Sequence, residues 1–236
     1  MCIQDNASKL SDNVSKLRAE IERAARLTGR SGADITLVAA TKTQSAETVR
    51  AAILAGVDAC GENRVQELTE KQAAGAYVGA SVHFIGHLQT NKVRKVVGAV
   101  DLIQSVDSLS LLGAIDRVAG ELQLVQDVLI QVNIGEDPDK FGVHAPELRK
   151  FLDQAVHNRN IRVRGLMTML PLEADPAETR DLFARMYNVF VDIRREMYNN
   201  VAMDFLSMGM SGDFFDAISE GANMIRVGST LFGNRE

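Results

Sequence analysis

Near the start of the chain, apolar residues recur at three- and four-residue steps. This spacing builds one apolar stripe and predicts an amphipathic helix over residues 8–28. Gly29 follows at a position suited to end the helix. The stripe consists of Leu10, Val14, Leu17, Ile21, Ala24 and Leu27.

Beyond this helix, short apolar runs rich in β-branched residues predict strands. Between the runs, helical spacing is clearest over 145–157, 176–198 and 212–220, with Asp175 and Ser211 as candidate N-caps of the last two helices. Eight runs are interpreted as strands: 35–40, 57–60, 82–86, 100–106, 127–133, 163–169, 204–208 and 224–228.

Strands that alternate with helices favour parallel pairing, because each return crossover needs a helix. Eight such units in about 200 residues match a closed barrel of minimum size. An open doubly wound sheet is the alternative, but it requires a Gly-rich phosphate loop where Thr41-Lys42-Thr43 stands. We therefore predict an α/β fold, a single (β/α)8 TIM barrel with an extra N-terminal helix, forming one domain over residues 1–236.

The composition restricts the expected cellular location of the protein and the classes of partner that it can bind. The 236 residues carry 26 Lys+Arg and 31 Asp+Glu, and a formal net charge of −5 makes nucleic acid a poor partner. The chain has two cysteines, no apolar run of the roughly 18 residues that a membrane span needs, and no signal-like N-terminus. We expect a soluble, cytoplasmic protein without membrane contact. No metal site is expected, because no metal-ligand spacing joins His83, His87, His144 and His157.

Lys42 follows the first predicted strand, and residues after the strands build the active face of a (β/α)8 barrel. A lysine at a strand end is often only a solvated charge. Beside a phosphate site, a partly desolvated lysine keeps a free amine lone pair that can form a Schiff base with an aldehyde. A phosphate-bearing aldehyde points to pyridoxal 5′-phosphate.

Small residues follow the seventh and eighth predicted strands, in the segments 209–212 and 228–230. They let backbone N–H groups approach an anion, and a helix N-terminus adds positive potential. Loops after strands seven and eight are the usual phosphate position in this fold. The alternative is that Ser211 only caps its own helix.

Arg226 lies inside the apolar eighth strand. One interpretation is an ion pair with a carboxylate of a neighbouring strand. The other is a hydrogen bond to the ring nitrogen of the cofactor. Because a guanidinium keeps its proton, it would leave that nitrogen unprotonated and weaken the ring as an electron sink.

Seven blocks of the sequence match one known family in the same order. They are LVAATK at 37–42, GENRVQE at 61–67, HFIGHLQTNK at 83–92, IQVNIGEDPDKFG at 130–142, GLMTM at 165–169, LSMGMSGDFFDAI at 206–218 and MIRVGSTLFG at 224–233. On these blocks the chain resembles the pyridoxal-phosphate homeostasis protein family (YggS/PROSC) over nearly its whole length.

The resemblance implies a barrel related to the N-terminal domain of bacterial alanine racemase. It implies that Lys42 forms the Schiff base and that Arg226 contacts the ring nitrogen of pyridoxal 5′-phosphate. It also implies a cofactor-side contact from Asn63, a place beside the phosphate loop for Met210, and phosphate contacts from Ser211, Gly228 and Ser229. The family often has Thr in place of Ser229; the hydroxyl remains, so we expect phosphate binding to survive in a looser site.

Two functions compete on this basis. In the first, the protein holds the cofactor as a Schiff base and takes part in its intracellular homeostasis and its supply to apo-enzymes. In the second, it is a weakly active pyridoxal-phosphate-dependent amino-acid racemase. A barrel for an unrelated phosphorylated ligand stays open as a third interpretation.

Racemisation needs acid–base groups on both faces of the substrate. In alanine racemase the second group is a tyrosine of the other subunit, and its assembly depends on an additional C-terminal β domain. This chain ends at Glu236, and Tyr77, Tyr187 and Tyr198 fall away from the predicted mouth. We therefore expect a monomeric carrier rather than an enzyme.

Overall fold

Eight parallel strands close into a barrel in the computed structural model, which describes residues 3–138, 140–171, 175–196 and 198–233. The ring runs β1–β2–β3–β4–β5–β7–β8–β9 and closes through parallel pairing of β9 with β1, which confirms the predicted (β/α)8 barrel. The short β6 pairs with the end of β5 outside the ring. The strands are β1 (Thr36–Ala40), β2 (Ala59–Glu62), β3 (Ser81–Phe84), β4 (Leu102–Val106), β5 (Gln126–Asn133), β6 (Val143–His144), β7 (Ile161–Met167), β8 (Val201–Ser207) and β9 (Met224–Val227).

Helices cover the outside of the barrel. They are α1 (Ile3–Arg26), α2 (Ala46–Leu54), α3 (Val65–Ala73), α4 (Leu109–Glu121), α5 (Leu148–Ala155), α6 (Pro176–Arg195), α7 (Phe214–Ser219) and α8 (Ser229–Phe232). A 3₁₀ segment, Thr90–Lys95, stands between β3 and β4. The predicted N-terminal helix is confirmed as α1, which contacts α2, α7 and α8. None of the helices in the described ranges is long and apolar enough to cross a bilayer.

Helix ends confirm one predicted cap and correct the other. The Asp175 carboxylate accepts hydrogen bonds from the backbone N–H groups of Ala177 and Glu178 at 2.8 and 2.9 Å, so it caps α6 as predicted. Ser211 does not cap the helix that follows it, because α7 begins only at Phe214. The predictions also do not single out α2, α3 and α4.

The barrel interior has an apolar layer and a polar layer. Side chains alternate along a strand, so inward positions lie two residues apart. The apolar layer consists of Val38, Ala59, Leu102, Leu129, Met167 and Met224. Two residues further along β4 and β9, towards the C-terminal mouth, stand buried Gln104 and Arg226. Ser207 ends β8 and is also buried.

His83 lies in β3 and is 6% exposed, and burial lowers its pKa from 6.5 to about 4 although Asp101 opposes the shift. At a pH between these two pKa values, His83 is protonated in the unfolded chain and neutral in the folded chain. The free energy of unfolding should therefore fall as the pH drops through this window, by at most about 3 kcal/mol from this group.

We expect His83→Gln to remove that contribution. Urea unfolding at about pH 7 and about pH 4.5 measures the loss of stability between the two conditions. The variant should lose less than the wild type, whereas His157→Gln, at an exposed position, should match the wild type. An equal loss in His83→Gln and the wild type would contradict a neutral, buried His83.

Candidate functional site

A cavity of about 480 Å³ opens at the C-terminal ends of β1, β8 and β9, within the usual size range of small-molecule sites. The structure brings six of the seven predicted site residues to its wall: Lys42, Met210, Ser211, Arg226, Gly228 and Ser229. Sequence reasoning missed Thr43, Gln44 and Phe232, which also line it. Asn63 is the exception, because it lines a separate cavity beside α3.

The residues on both sides of Lys42 are held by hydrogen bonds to the side chains of Glu62, Glu67 and Lys71. The Thr41 hydroxyl donates to the Glu62 carboxylate at 2.5 Å, and the Lys71 ammonium donates to the Thr41 carbonyl at 2.6 Å. On the other side, the Thr43 N–H donates to Glu67 at 2.6 Å. Thr43 has a φ of +65°, a left-handed conformation that costs a β-branched residue energy. These contacts fix the turn that presents Lys42.

A buried ion pair organises these contacts. The Lys71 ammonium lies 2.7 Å from Glu62, whose side chain is 0% exposed, and 3.3 Å from Glu67. The Tyr77 hydroxyl donates to the same Glu62 oxygen at 3.0 Å. Burial, followed by the charge on Glu62, raises the pKa of Tyr77. Tyr77 is therefore a buried donor in this network, in the turn after α3, and does not line the cavity, as the sequence predicted.

The loops after β8 and β9 are tied together by Ser211. Its hydroxyl accepts from the N–H groups of Gly228 and Thr230 at 3.2 and 3.3 Å. Gly209 starts the first loop with a φ of +94°, and a Cβ there would lie only 2.6 Å from the Cβ of Ala217. Only glycine suits that position, so the tight turn out of β8 depends on it.

The chemistry of the cavity wall suits a phosphate monoester. Hydroxyls and small residues with accessible backbone line one side, and Lys42 and Arg226 supply positive charge. No acidic residue is found among the described residues that line the cavity. Asp213 lies nearby but accepts from the Met210 N–H at 2.5 Å, and burial raises the pKa of its carboxyl.

Arg226 is 4% exposed and forms no ion pair with a carboxylate of the described chain, so the strand ion pair considered from the sequence is absent. Its guanidinium donates to the Ser207 hydroxyl at 2.6 Å and to the Thr168 carbonyl at 2.8 Å. Burial lowers the pKa of Arg226 to about 10, against the opposing charge of Asp213, and the group stays protonated at neutral pH.

Asn63 and its surroundings form the neighbouring part of the mouth. Its Oδ1 is buried and has no hydrogen-bond partner among the described residues. Gly86 approaches so closely that a Cβ there would lie 2.2 Å from the Asn63 carbonyl oxygen. Across the mouth, the His87 imidazole lies 3.2 Å from the Asp107 carboxylate and stacks on Phe141 at 3.8 Å. This stack links the segments that follow β3 and β5.

Comparison with known proteins identifies the class of barrel. The family model "Alanine racemase, N-terminal domain" matches residues 12–236. Alanine racemase from Corynebacterium glutamicum superposes with a TM-score of 0.74 at 16% identity, covering 97% of this chain and 62% of that one. The fold is therefore that of the barrel domain found in alanine racemases.

Relatives of higher identity narrow the class further. The pyridoxal phosphate homeostasis protein of Aquifex aeolicus is 39% identical, covering 95% of this chain and 98% of the relative. PipY of Synechococcus elongatus PCC7942, solved with PLP bound, is 39% identical with a TM-score of 0.79, covering 91% of this chain and all of PipY. The chain belongs to the pyridoxal phosphate homeostasis protein family, which confirms the resemblance noted in its sequence blocks.

Replacement of Lys71 tests how much the buried ion pair contributes to the free energy of unfolding. Lys71→Met leaves the Glu62 charge buried without its cation, which typically costs about 3–5 kcal/mol of the free energy of unfolding. Urea unfolding measures this loss. The double variant Glu62→Gln/Lys71→Met should recover part of it, because no unpaired charge remains at that pair.

Lys92→Met is the matched control, since Lys92 is exposed and its replacement should change stability by less than about 0.5 kcal/mol. Equal stability of Lys71→Met and Lys92→Met would show that the buried pair contributes nothing to the fold.

Proposed function

We propose that this chain binds pyridoxal 5′-phosphate through Lys42 and takes part in the intracellular homeostasis of the cofactor and its supply to apo-enzymes. The observation that carries the proposal is one cavity uniting a strand-end lysine, two small-residue loops and a buried arginine. The names of the relatives and the PLP-bound structure of PipY support it. A monomeric protein in the cytoplasm, where apo-enzymes fold, is part of the proposal.

Each wall of the cavity has a separate task in this proposal. When bound, the cofactor supplies an aldehyde that condenses with a lysine amine. Lys42 provides that amine from a turn held by Thr41 and Thr43. Phosphate binds at the joined loops after β8 and β9, with Met210 beside them; the contacts come from Ser211, Gly228 and Ser229.

Arg226 defines the ring side of the proposed site, and Asn63 is proposed to approach the cofactor from the adjoining cavity beside α3. Arg226 would donate a hydrogen bond to the ring nitrogen and, being protonated, would leave that nitrogen without a proton. Such a ring is a weak electron sink, which limits carbanion chemistry at a bound amino acid. The buried Oδ1 of Asn63 is available for a contact at the cofactor side.

The cavity favours a carrier over a racemase. Among the described lining residues, the side chains with a basic nitrogen are Lys42 and Arg226, and Arg226 cannot act as a base while it stays protonated. Tyr77 donates to Glu62 away from the cavity, so it supplies no second proton-transfer group. Racemisation requires groups on both faces of the reacting carbon.

Replacement of Lys42 by alanine tests the central residue of the proposal. The purified wild type, incubated with pyridoxal 5′-phosphate and reduced with borohydride, should carry the adduct on Lys42 in a peptide mass map. Lys42→Ala should lose both the visible absorption band and the adduct, whereas Lys92→Ala should retain both. An adduct on a different lysine in the wild type would refute the assignment.

The second test separates the carrier from the racemase. The loaded protein is incubated with L-alanine in deuterated water, and both α-deuteration and D-alanine are followed. Loss of one general base typically costs a factor of about 10²–10⁴, so we expect at most slow exchange without D-alanine. Formation of D-alanine near the enzyme median of about 10 s⁻¹ would establish a racemase instead.

A further inference from the structure

A row of hydrogen bonds crosses the polar layer of the barrel and ends at Arg226. The Arg226 guanidinium donates to the Ser207 hydroxyl at 2.6 Å, and this hydroxyl donates to Oε1 of Gln104 at 2.7 Å. Nε2 of Gln104 lies 2.9 Å from Nδ1 of His83. All four side chains are buried, so water does not compete for these bonds. The row joins β9, β8, β4 and β3.

The direction of these bonds is fixed by the groups themselves. Arg226 can only donate, so the Ser207 oxygen must accept from it. If the Gln104 amide were reversed, Ser207 would accept from both neighbours and its proton would have no acceptor. Gln104 must therefore offer its oxygen to Ser207 and its N–H to Nδ1 of His83. Burial lowers the pKa of His83 to about 4, which leaves that nitrogen free to accept at neutral pH.

The row holds the guanidinium from one side while the Thr168 carbonyl holds it from another, 2.8 Å from Nη2. Arg226 also lines the cavity, whereas Gln104 does not. We propose that Gln104, acting through Ser207, is a positioning residue that sets the orientation of Arg226 towards the ring of the bound cofactor. This inference rests on the proposed function of the cavity.

Gln104→Met tests the role with a side chain of similar volume that cannot accept from Ser207. We expect a three- to tenfold lower affinity for pyridoxal 5′-phosphate, about what one net hydrogen bond is worth, together with a shifted visible band. Ser207→Ala should have a comparable effect. Because the two residues act in one row, the double variant should bind the cofactor no more weakly than whichever single variant binds it more weakly.

Inorganic phosphate, measured as a competitor, serves as the internal control. It occupies the loops after β8 and β9 but has no ring, so Gln104→Met should lower its affinity much less than that of pyridoxal 5′-phosphate. Gln126→Met is the matched structural control: Gln126 is also buried, 3% exposed against 0% for Gln104, and bonds to backbone at the opposite end of the barrel. It should leave the cofactor affinity and the visible band unchanged.

Three results would overturn the inference while the proposed function stands. The first is wild-type affinity and spectrum in Gln104→Met, the second is additive losses in the double variant, and the third is a failed control, in which phosphate affinity falls as much as cofactor affinity or Gln126→Met has the same effect as Gln104→Met. A wild type that binds no pyridoxal 5′-phosphate would refute the proposed function and this inference together.

Discussion

The site depends on a cation buried among carboxylates. Lys71 lies between Glu62 and Glu67. Glu62 accepts from the Thr41 hydroxyl, Lys71 donates to the Thr41 carbonyl, and Glu67 accepts from the Thr43 N–H. Burying charge is unfavourable unless every group is paired in good geometry. The bonds that pair these charges also restrain the path of the chain between β1 and α2. This path sets the position from which Lys42 enters the cavity.

The sequence predicted what depends on local pattern and strand order. Apolar runs located all eight barrel strands, and because parallel strands end at one face, residues as distant as Lys42 and Ser211 were expected together. Lys71 escaped prediction because a charged residue inside the helical segment VQELTEKQA has the pattern of a solvated helix face. Its burial is decided by Glu62, nine positions away, and only the folded chain brings the two together.

Ser211 shows a different limit of sequence reasoning. A serine followed by glycine shortly before a helix is typical of an N-cap, yet the Ser211 hydroxyl bonds to backbone after β9. The Asp213 carboxylate instead takes the Met210 N–H and delays the start of α7. The local sequence is compatible with Ser211 either as a cap of α7 or as a partner of the loop after β9. The backbone N–H groups of that loop, which only the folded chain brings close, decide between the two. Asn63, expected with the other site residues, stands apart on the wall beside α3.

Closure of the barrel through β1 and β9 has a consequence for how the protein is made. The pairing brings Thr36 against Met224, so the first and last strands of the ring meet. Lys42 emerges from the ribosome well before Ser211, Arg226 and Gly228, which lie more than 160 residues further along the chain. Such non-local pairing forms late in folding. A nascent chain therefore has the lysine without the pocket, and a reactive aldehyde finds no organised site until β9 has been synthesised and has paired with β1.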